Sequence, residues 1–335
     1  MSLVVLDTMN DATAWSAVAA DGSASTALTI ADAPQRGPTG TDPRCVLLTA
    51  SAAATGHLLR RDLPARDVSD CSELRFSVRA NRSAGPPGRG FFLELRLGSA
   101  ALAPDDPANT WHRFVPVRAA ATWETVVCGI EDLPSVIAKN LSRIQFRCVE
   151  APFTARLDGI VAVRPQLLAD ADAALAAVLA GVALGATPVA ARVRTAAEAV
   201  PPAPALDILH SGVRHARQRV DSTRVARDFR ADQLRLVAAG DPYDLDYEVR
   251  AVAGSRAEEA LLLEAVLDRL GGRGELMFAG VPMPVELRCE APDSAAVAGE
   301  PVLRYRVGTR ARARIALLDW QVRDLVLDAD HLEVS

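Results

Sequence analysis

Acid–base or metal chemistry needs histidines, carboxylates or thiolates brought together, and the sequence offers few such sets. His210 and His215 lie five apart across Ser211-Gly212. A helix gathers ligands at spacings of three or four and a strand at two, so a polar strand end is expected instead of a metal or catalytic pair. Asp244, Asp246 and Glu248 share one face of a strand-like run. They make an acid or cation site only if that face is enclosed, and a solvated outer face is the commoner case. Should that face meet a neighbouring subunit, the carboxylates would pair with arginines such as Arg217, Arg219, Arg224 or Arg227. Arg310, Arg312 and Arg314 alternate with alanines and place three guanidiniums on one strand face. That face is solvated, or docks acidic residues of a partner ring and, less readily, packaged nucleic acid. Cys45, Cys71, Cys128, Cys148 and Cys289 never occur as Cys-x-x-Cys, which argues against a metal knuckle and gives a disulfide framework no support. Gly-x-Ser-x-Gly, His-Glu-x-x-His and Gly-x-Gly-x-x-Gly are absent. The expectation is a protein that is not an enzyme and needs no cofactor.

Composition narrows the classes further. The 335 residues suit two domains, and 50% apolar with 24% charged residues is globular usage. A net charge of -5 argues against a dominant nucleic-acid role, so direct nucleic-acid contact is not expected. Lys139 is the only lysine, which leaves no Walker-type loop and little room for Schiff-base chemistry. The N-terminus has no basic segment followed by a long apolar run, and the stretch 169–184 carries Asp170 and Asp172 and is too short for a bilayer. A soluble, cytoplasmic chain with no membrane partner is expected.

These residues are positioned by two different kinds of element. Through residue 165 short runs recur between Gly, Pro, Asp and Asn clusters: 27–30, 45–49, 74–79, 91–97, 112–117, 124–128, 143–149 and 155–163. That spacing predicts an all-β sandwich or jelly roll. From Gln166 a helical stripe (Leu168, Ala171, Leu175, Val178, Leu179, Val182) opens an α+β domain, 166–335. Strands are expected at 189–195, 206–213, 275–279, 285–289, 302–307 and 321–327, and an exposed polar arm at 217–235. The clearest unit is a strand, Tyr243 to Ala251, with alternating apolar positions, followed at Gly254 by a helix. Ser255 and Glu258 have capping-box spacing, Ala260, Leu261, Leu263, Leu267 and Leu270 form the stripe, and Gly271-Gly272 end it.

Two resemblances follow. Asp7 through Trp15, Ser23-Ala-Ser-x-x-Leu28, Asp70-Cys-Ser-Glu-Leu-Arg-Phe-Ser-Val-Arg79, Trp123-Glu-Thr-Val-Val, Leu133, Leu141-Ser-Arg-Ile-Gln-Phe146 and Arg156-Leu-Asp-Gly-Ile160 resemble the galactose-binding-like jelly rolls. That group includes carbohydrate-binding modules and the complex I intermediate-associated family. The second half resembles the tail-terminator or tail-cap family of phage-tail-like contractile injection systems. The likeness lies in the helix at Asp172, Pro204-Ala-Leu-Asp-Ile-Leu-His210 leading to the arginine arm, Pro242-Tyr-Asp-Leu-Asp-Tyr-Glu-Val-Arg-Ala-Val, Val281-Pro-Met-Pro-Val-Glu-Leu and Leu303-Arg-Tyr-Arg-Val. A whole β-domain in front departs from that family.

The resemblances imply function. The second implies a structural subunit at the tail end of a phage tail or contractile injection particle, forming a homo-oligomeric ring and contacting tail tube or sheath proteins. The first implies the alternative, a carbohydrate-binding protein with an accessory domain. It also implies a structural calcium at Asp7 and Asp158, on the first and last strands of the jelly roll. Modules of that kind hold sugars on aromatic rings. Trp15 and Trp123 stand in apolar contexts expected to be core, so Trp111, beside His112 and after a Pro-rich loop, is the candidate ligand platform.

Overall fold

The computed structural model describes residues 3–84, 90–103, 106–109, 111–195, 197–216, 225–229, 233–238, 241–288, 302–310 and 316–321. The chain forms two compact units: the described residues of 1–165, 225–238 and 314–335 make one, and those of 166–224 and 239–313 make the other.

The first unit is built from strands β1 (Leu3–Asp7), β2 (Ser16–Val18), β3 (Leu28–Ala33), β4 (Cys45–Ala50), β5 (Leu58–Arg66) and β6 (Glu73–Ala80). They are followed by β7 (Leu93–Gly98), β8 (His112–Phe114), β9 (Glu124–Gly129), helix α1 (Ser135–Lys139), β10 (Leu141–Cys148) and β11 (Phe153–Val163). One sheet runs β3-β4-β11-β6-β9 with β1 added to β11, and the other runs β2-β5-β10-β7-β8. Every pairing in the two sheets is antiparallel, and neighbours within each are mostly distant in sequence, as in a sandwich.

Alternation writes the core. Leu74, Phe76 and Val78 of β6 face Leu93, Leu95 and Leu97 of β7 and Ile144 and Phe146 of β10 in one buried cluster. Phe146 packs edge-on against Phe76 at 5.4 Å and lies 6.1 Å from Trp15, so Trp15 is core as expected. The period breaks at Phe91-Phe92. Phe92 is buried against Phe153, while Phe91 stacks on Phe114 at 4.9 Å, because the strand proper begins only at Leu93. Strands β2 and β5 were not expected from sequence. In β5 the pattern is hidden by Arg60-Arg61-Asp62 and by Pro64, which sits where its pairing with β10 shifts register.

The second unit holds α2 (Leu167–Leu179), β12 (Ala183–Leu184), β13 (Thr187–Pro188), β14 (Ala190–Arg194) and β15 (Ala205–His215). Between β15 and the rest of this unit the chain forms β16 (Val225–Phe229) and β17 (Gln233–Ala238), which group with the first unit. The second unit resumes with β18 (Pro242–Val252), α3 (Arg256–Leu270), β19 (Arg273–Phe278), β20 (Val281–Leu287) and β21 (Val302–Arg310), while β22 (Ala316–Gln321), which closes the described chain, groups with the first unit. A six-stranded sheet of order β14-β15-β18-β21-β20-β19 packs one face on the helices. The expected polar arm is corrected in part: β16 and β17 pair antiparallel and β22 adds to β17, consistent with Leu234-Arg235-Leu236 alternation in the sequence.

The strand–helix unit forms with two corrections. Leu245, Tyr247 and Val249 are fully buried on one face of β18, and the Tyr247 hydroxyl donates to Asp172 of α2 at 2.6 Å. The α3 stripe is Leu262, Leu263, Val266 and Leu270, while Leu261 stands 57% exposed, one position off the expected face. The Ser255 hydroxyl accepts the Glu258 N–H at 3.3 Å, but the Glu258 carboxylate accepts the Gly254 N–H at 3.0 Å, one residue before the usual capping-box partner.

Candidate ligand-binding face

Trp111 is no platform. Its ring is 7% exposed, its Nε1 donates to Asp132 at 3.2 Å, and the Arg113 guanidinium lies 4.4 Å over the ring. Arg113 also reaches both Asp132 oxygens, at 2.6 and 2.8 Å. The short β8 turns Trp111 toward the core, and the three side chains lock one another in place.

The carboxylates of β18 do lie on one face, away from the helices, but their partners are arginines of their own sheet. Asp246 accepts from Arg214 of β15 and from Arg306 of β21, the latter at 3.3 Å. Glu248 accepts from Arg250 at 2.8 Å and Arg304 at 3.3 Å, and Arg306 lies 3.7 Å from Asp244. Burial alone would raise the Glu248 carboxyl, but the two guanidiniums more than offset it and hold it below its ordinary range. This face bounds a cleft of about 640 Å3 lined by Gly272, Arg273, Glu286, Leu287, Arg288 and Arg306. Arg217, Arg219, Arg224, Arg312 and Arg314 lie outside the described residues. Arg227 and Arg310 lie on β16 and β21, described there only as backbone. His210 and His215 stand on β15 opposite Tyr247 and Tyr243, separated by a bulge, and are not brought together.

Asp7 and Asp158 stand on paired strands, Asp7 opposite Ile160. Asp7 accepts from Arg61 Nε at 2.8 Å and from the Met9 N–H at 2.7 Å, one to each oxygen. Asp158 is fully buried beneath the loop 37–40, where its Oδ2 accepts the Gly37 N–H at 2.6 Å, and its Oδ1 has no partner among the described residues. Thr39 donates to the Asp158 carbonyl at 2.9 Å and bonds Ser77 at 2.7 Å. A Cβ on Gly40 would fall 1.9 Å from Asp158 Oδ2, so only glycine lets the loop approach so closely. Burial is the main reason that the Asp158 carboxyl is pushed up to about 6. Calcium takes about six to eight hard oxygens. With a guanidinium on Asp7 and an amide on Asp158, and no group of three metal-ligating side chains among the described residues, the pair does not fit that ion.

The arrangement that does converge is the solvent side of the sheet β2-β5-β10-β7-β8. Because Ile144, Phe146 and Cys148 point inward, Arg143, Gln145 and Arg147 of β10 point outward. Three cross-strand rows result. One runs Ser16, Arg60, Gln145, Arg96, His112. A second runs Asp62, Arg143, Gly98, and a third Leu58, Arg147, Glu94, Phe114. Gln145 is therefore flanked by Arg60 and Arg96 across the strands and by Arg143 and Arg147 along its own.

Ion pairs fix these side chains. Asp62 accepts from Arg60 Nε at 2.9 Å and Arg143 Nε at 2.9 Å; Glu94 accepts from Arg96 Nε at 2.5 Å and lies 3.7 Å from Arg147. Burial would raise the Asp62 carboxyl, and the Arg143 and Arg60 guanidiniums bring it below its ordinary range. Each carboxylate is shared by two guanidiniums, and these pairs do not use every guanidinium N–H. Phe114, stacked on Phe91, supplies an apolar end to the third row. Such a face offers guanidinium donors, an amide of both characters and one aromatic edge. Sequence reasoning marked the strand run at 91–97 but not the grid, since the adjacency of β5, β10 and β7 is not written in local pattern.

No family model matches the chain, and no curated protein does. Among solved structures, the first unit is similar to carbohydrate-binding modules. The family 11 module of Clostridium thermocellum, solved in complex with a β-1,3-1,4-mixed-linked tetrasaccharide, shows 12% identity over 49% of this chain and 96% of that chain, with a TM-score of 0.33. A family 30 carbohydrate-binding module gives 11% identity over 45% and 82%, with a TM-score of 0.31. The K1 cleaved adhesin domain of Lys-gingipain from Porphyromonas gingivalis W83 gives 16% identity over 49% and 100%, with a TM-score of 0.30. The sandwich fold of the first unit rests on its own strand order and not on these scores. Nothing in the comparisons supports the expected tail-terminator likeness of the second half.

Proposed function

We propose that the chain is a carbohydrate-binding protein whose first unit holds its ligand on the outer face of the sheet β2-β5-β10-β7-β8. The observation that carries this is the polar grid around Gln145, in which ion pairs with Asp62 and Glu94 hold Arg60, Arg143 and Arg96, and Arg147 stands 3.7 Å from Glu94. Pre-set donors lose little rotamer freedom on meeting a hydroxylated ligand, which is what an open sheet face needs to bind at all. Strand separation of about 4.8 Å places donors at intervals that suit a chain of sugars laid across the sheet. The role is binding without turnover, and the second unit is an accessory domain in this reading.

The test is retention of the intact chain on a panel of immobilised polysaccharides, neutral and acidic, with Gln145→Ala beside it. Binding that falls at least tenfold in the variant, with unchanged thermal unfolding, is the expected result. Retention on none of the polysaccharides, or full retention of the variant, overturns it.

A further inference from the structure

Resting on that reading, we infer that the face selects acidic polysaccharides, chains bearing carboxylate or sulfate groups, over neutral ones. The charge on the face has the opposite sign to that of the molecule. Arg60, Arg96, Arg143 and Arg147 stand there against two carboxylates, Asp62 and Glu94, on a chain whose net charge is -5. A cationic patch on an acidic protein concentrates anions locally.

The donors have the geometry that anions need. Arginine presents a planar fork that meets a carboxylate or sulfate through two parallel hydrogen bonds. Asp62 and Glu94 each engage two guanidiniums, and Arg147 meets Glu94 only at 3.7 Å. Donors therefore remain for an incoming acid. They surround Gln145, whose amide can read the hydroxyls between acidic groups. Neutral glucans, by contrast, are held by exposed rings stacking on apolar sugar faces. Here Trp15 and Trp111 are in the core, Trp123, expected in the core but half-buried, precedes β9 of the other sheet, and Phe91 and Phe114 spend a face of each ring on one another.

The experiment measures affinity of the intact chain for polygalacturonate and alginate, for mixed-linkage β-glucan and xylan, and for poly-glutamate as a plain polyanion, each at low and high salt. The variant is Arg60→Gln with Arg147→Gln. Arg143 still holds Asp62 and Arg96 still holds Glu94 in it, so the fold keeps both carboxylates partnered. Binding of an acidic polysaccharide that weakens with salt, and by about tenfold or more in the variant, is the expected outcome. Binding of the neutral glycans alone, unmoved by the variant, overturns the selectivity and leaves the face itself to be decided by Gln145→Ala. Equal affinity for poly-glutamate overturns it in favour of simple charge attraction. Failure to bind any glycan removes both this inference and the function it rests on.

Discussion

Replacing Asp158 by asparagine separates what burial does to a carboxyl from what its hydrogen bonds do. Asp158 is fully buried, with the Gly37 N–H on Oδ2, no partner for Oδ1 among the described residues, and a favourable Arg36 partly opposed by Asp42. Its carboxyl is pushed up to about 6 from an ordinary 3.8, a gap equivalent to about 3 kcal/mol. The folded state holds the proton more tightly than the unfolded chain does. The stabilisation is therefore complete below about pH 4, shrinks as pH rises through the interval to about 6, and is absent above it. Asparagine keeps the acceptor for Gly37 and cannot ionise. Relative to its own value at pH 3.5, Asp158→Asn should gain up to about 3 kcal/mol over the native chain by pH 7.5. Urea unfolding at several pH values, followed by tryptophan fluorescence of the first unit, reads the difference directly. If the gap between the two proteins stays constant from pH 4 to 7, ionisation of Asp158 is not coupled to folding, and the account of the loop 37–40 fails.

Other expectations are independent of that one. Trp111→Ala should destabilise the first unit by about 3–5 kcal/mol in chemical unfolding, because a buried ring and the partner of Arg113 and Asp132 are lost together. Ser255→Ala should lower the stability of the second unit by about 1 kcal/mol through loss of the α3 cap, visible as faster amide exchange at Glu258. Gly40→Ala forces a Cβ to within 1.9 Å of Asp158 Oδ2 and should lower the unfolding midpoint while leaving glycan retention on the opposite sheet unchanged. Cys45 and Cys148, whose thiols burial pushes up to about 11 and about 12, should resist alkylation at pH 8 until the chain is unfolded.

Alternation was the legible part of this chain. It marked β6, β7, β10 and β11 within a few residues, and it marked β18 with its charged outer face, because one side of each strand is buried. It failed where local charge or proline interrupted the period, as in β5, and where short strands such as β2 have too few residues to show one. Trp111 misled for another reason. A polar loop before it and a histidine after it suggested exposure, yet Arg113 and Asp132 give its ring and its N–H buried partners. At Asp244, Asp246 and Glu248 the face was right, and cross-strand register with β15 and β21 supplies guanidiniums from the same sheet that local pattern did not reveal. The polar grid around Gln145 was the least legible of all. It joins residues from five strands whose adjacency comes from topology.

Strand β10 has two jobs written on alternate letters, with Ile144 and Phe146 inward and Arg143, Gln145 and Arg147 outward. Mutations at the odd-numbered positions change what the surface greets while the interior stays as it was. Substitutions there alter surface chemistry without opening a cavity in the core. The same separation makes the sheet a ready template for installing new ligand preferences by changing five or six side chains at once.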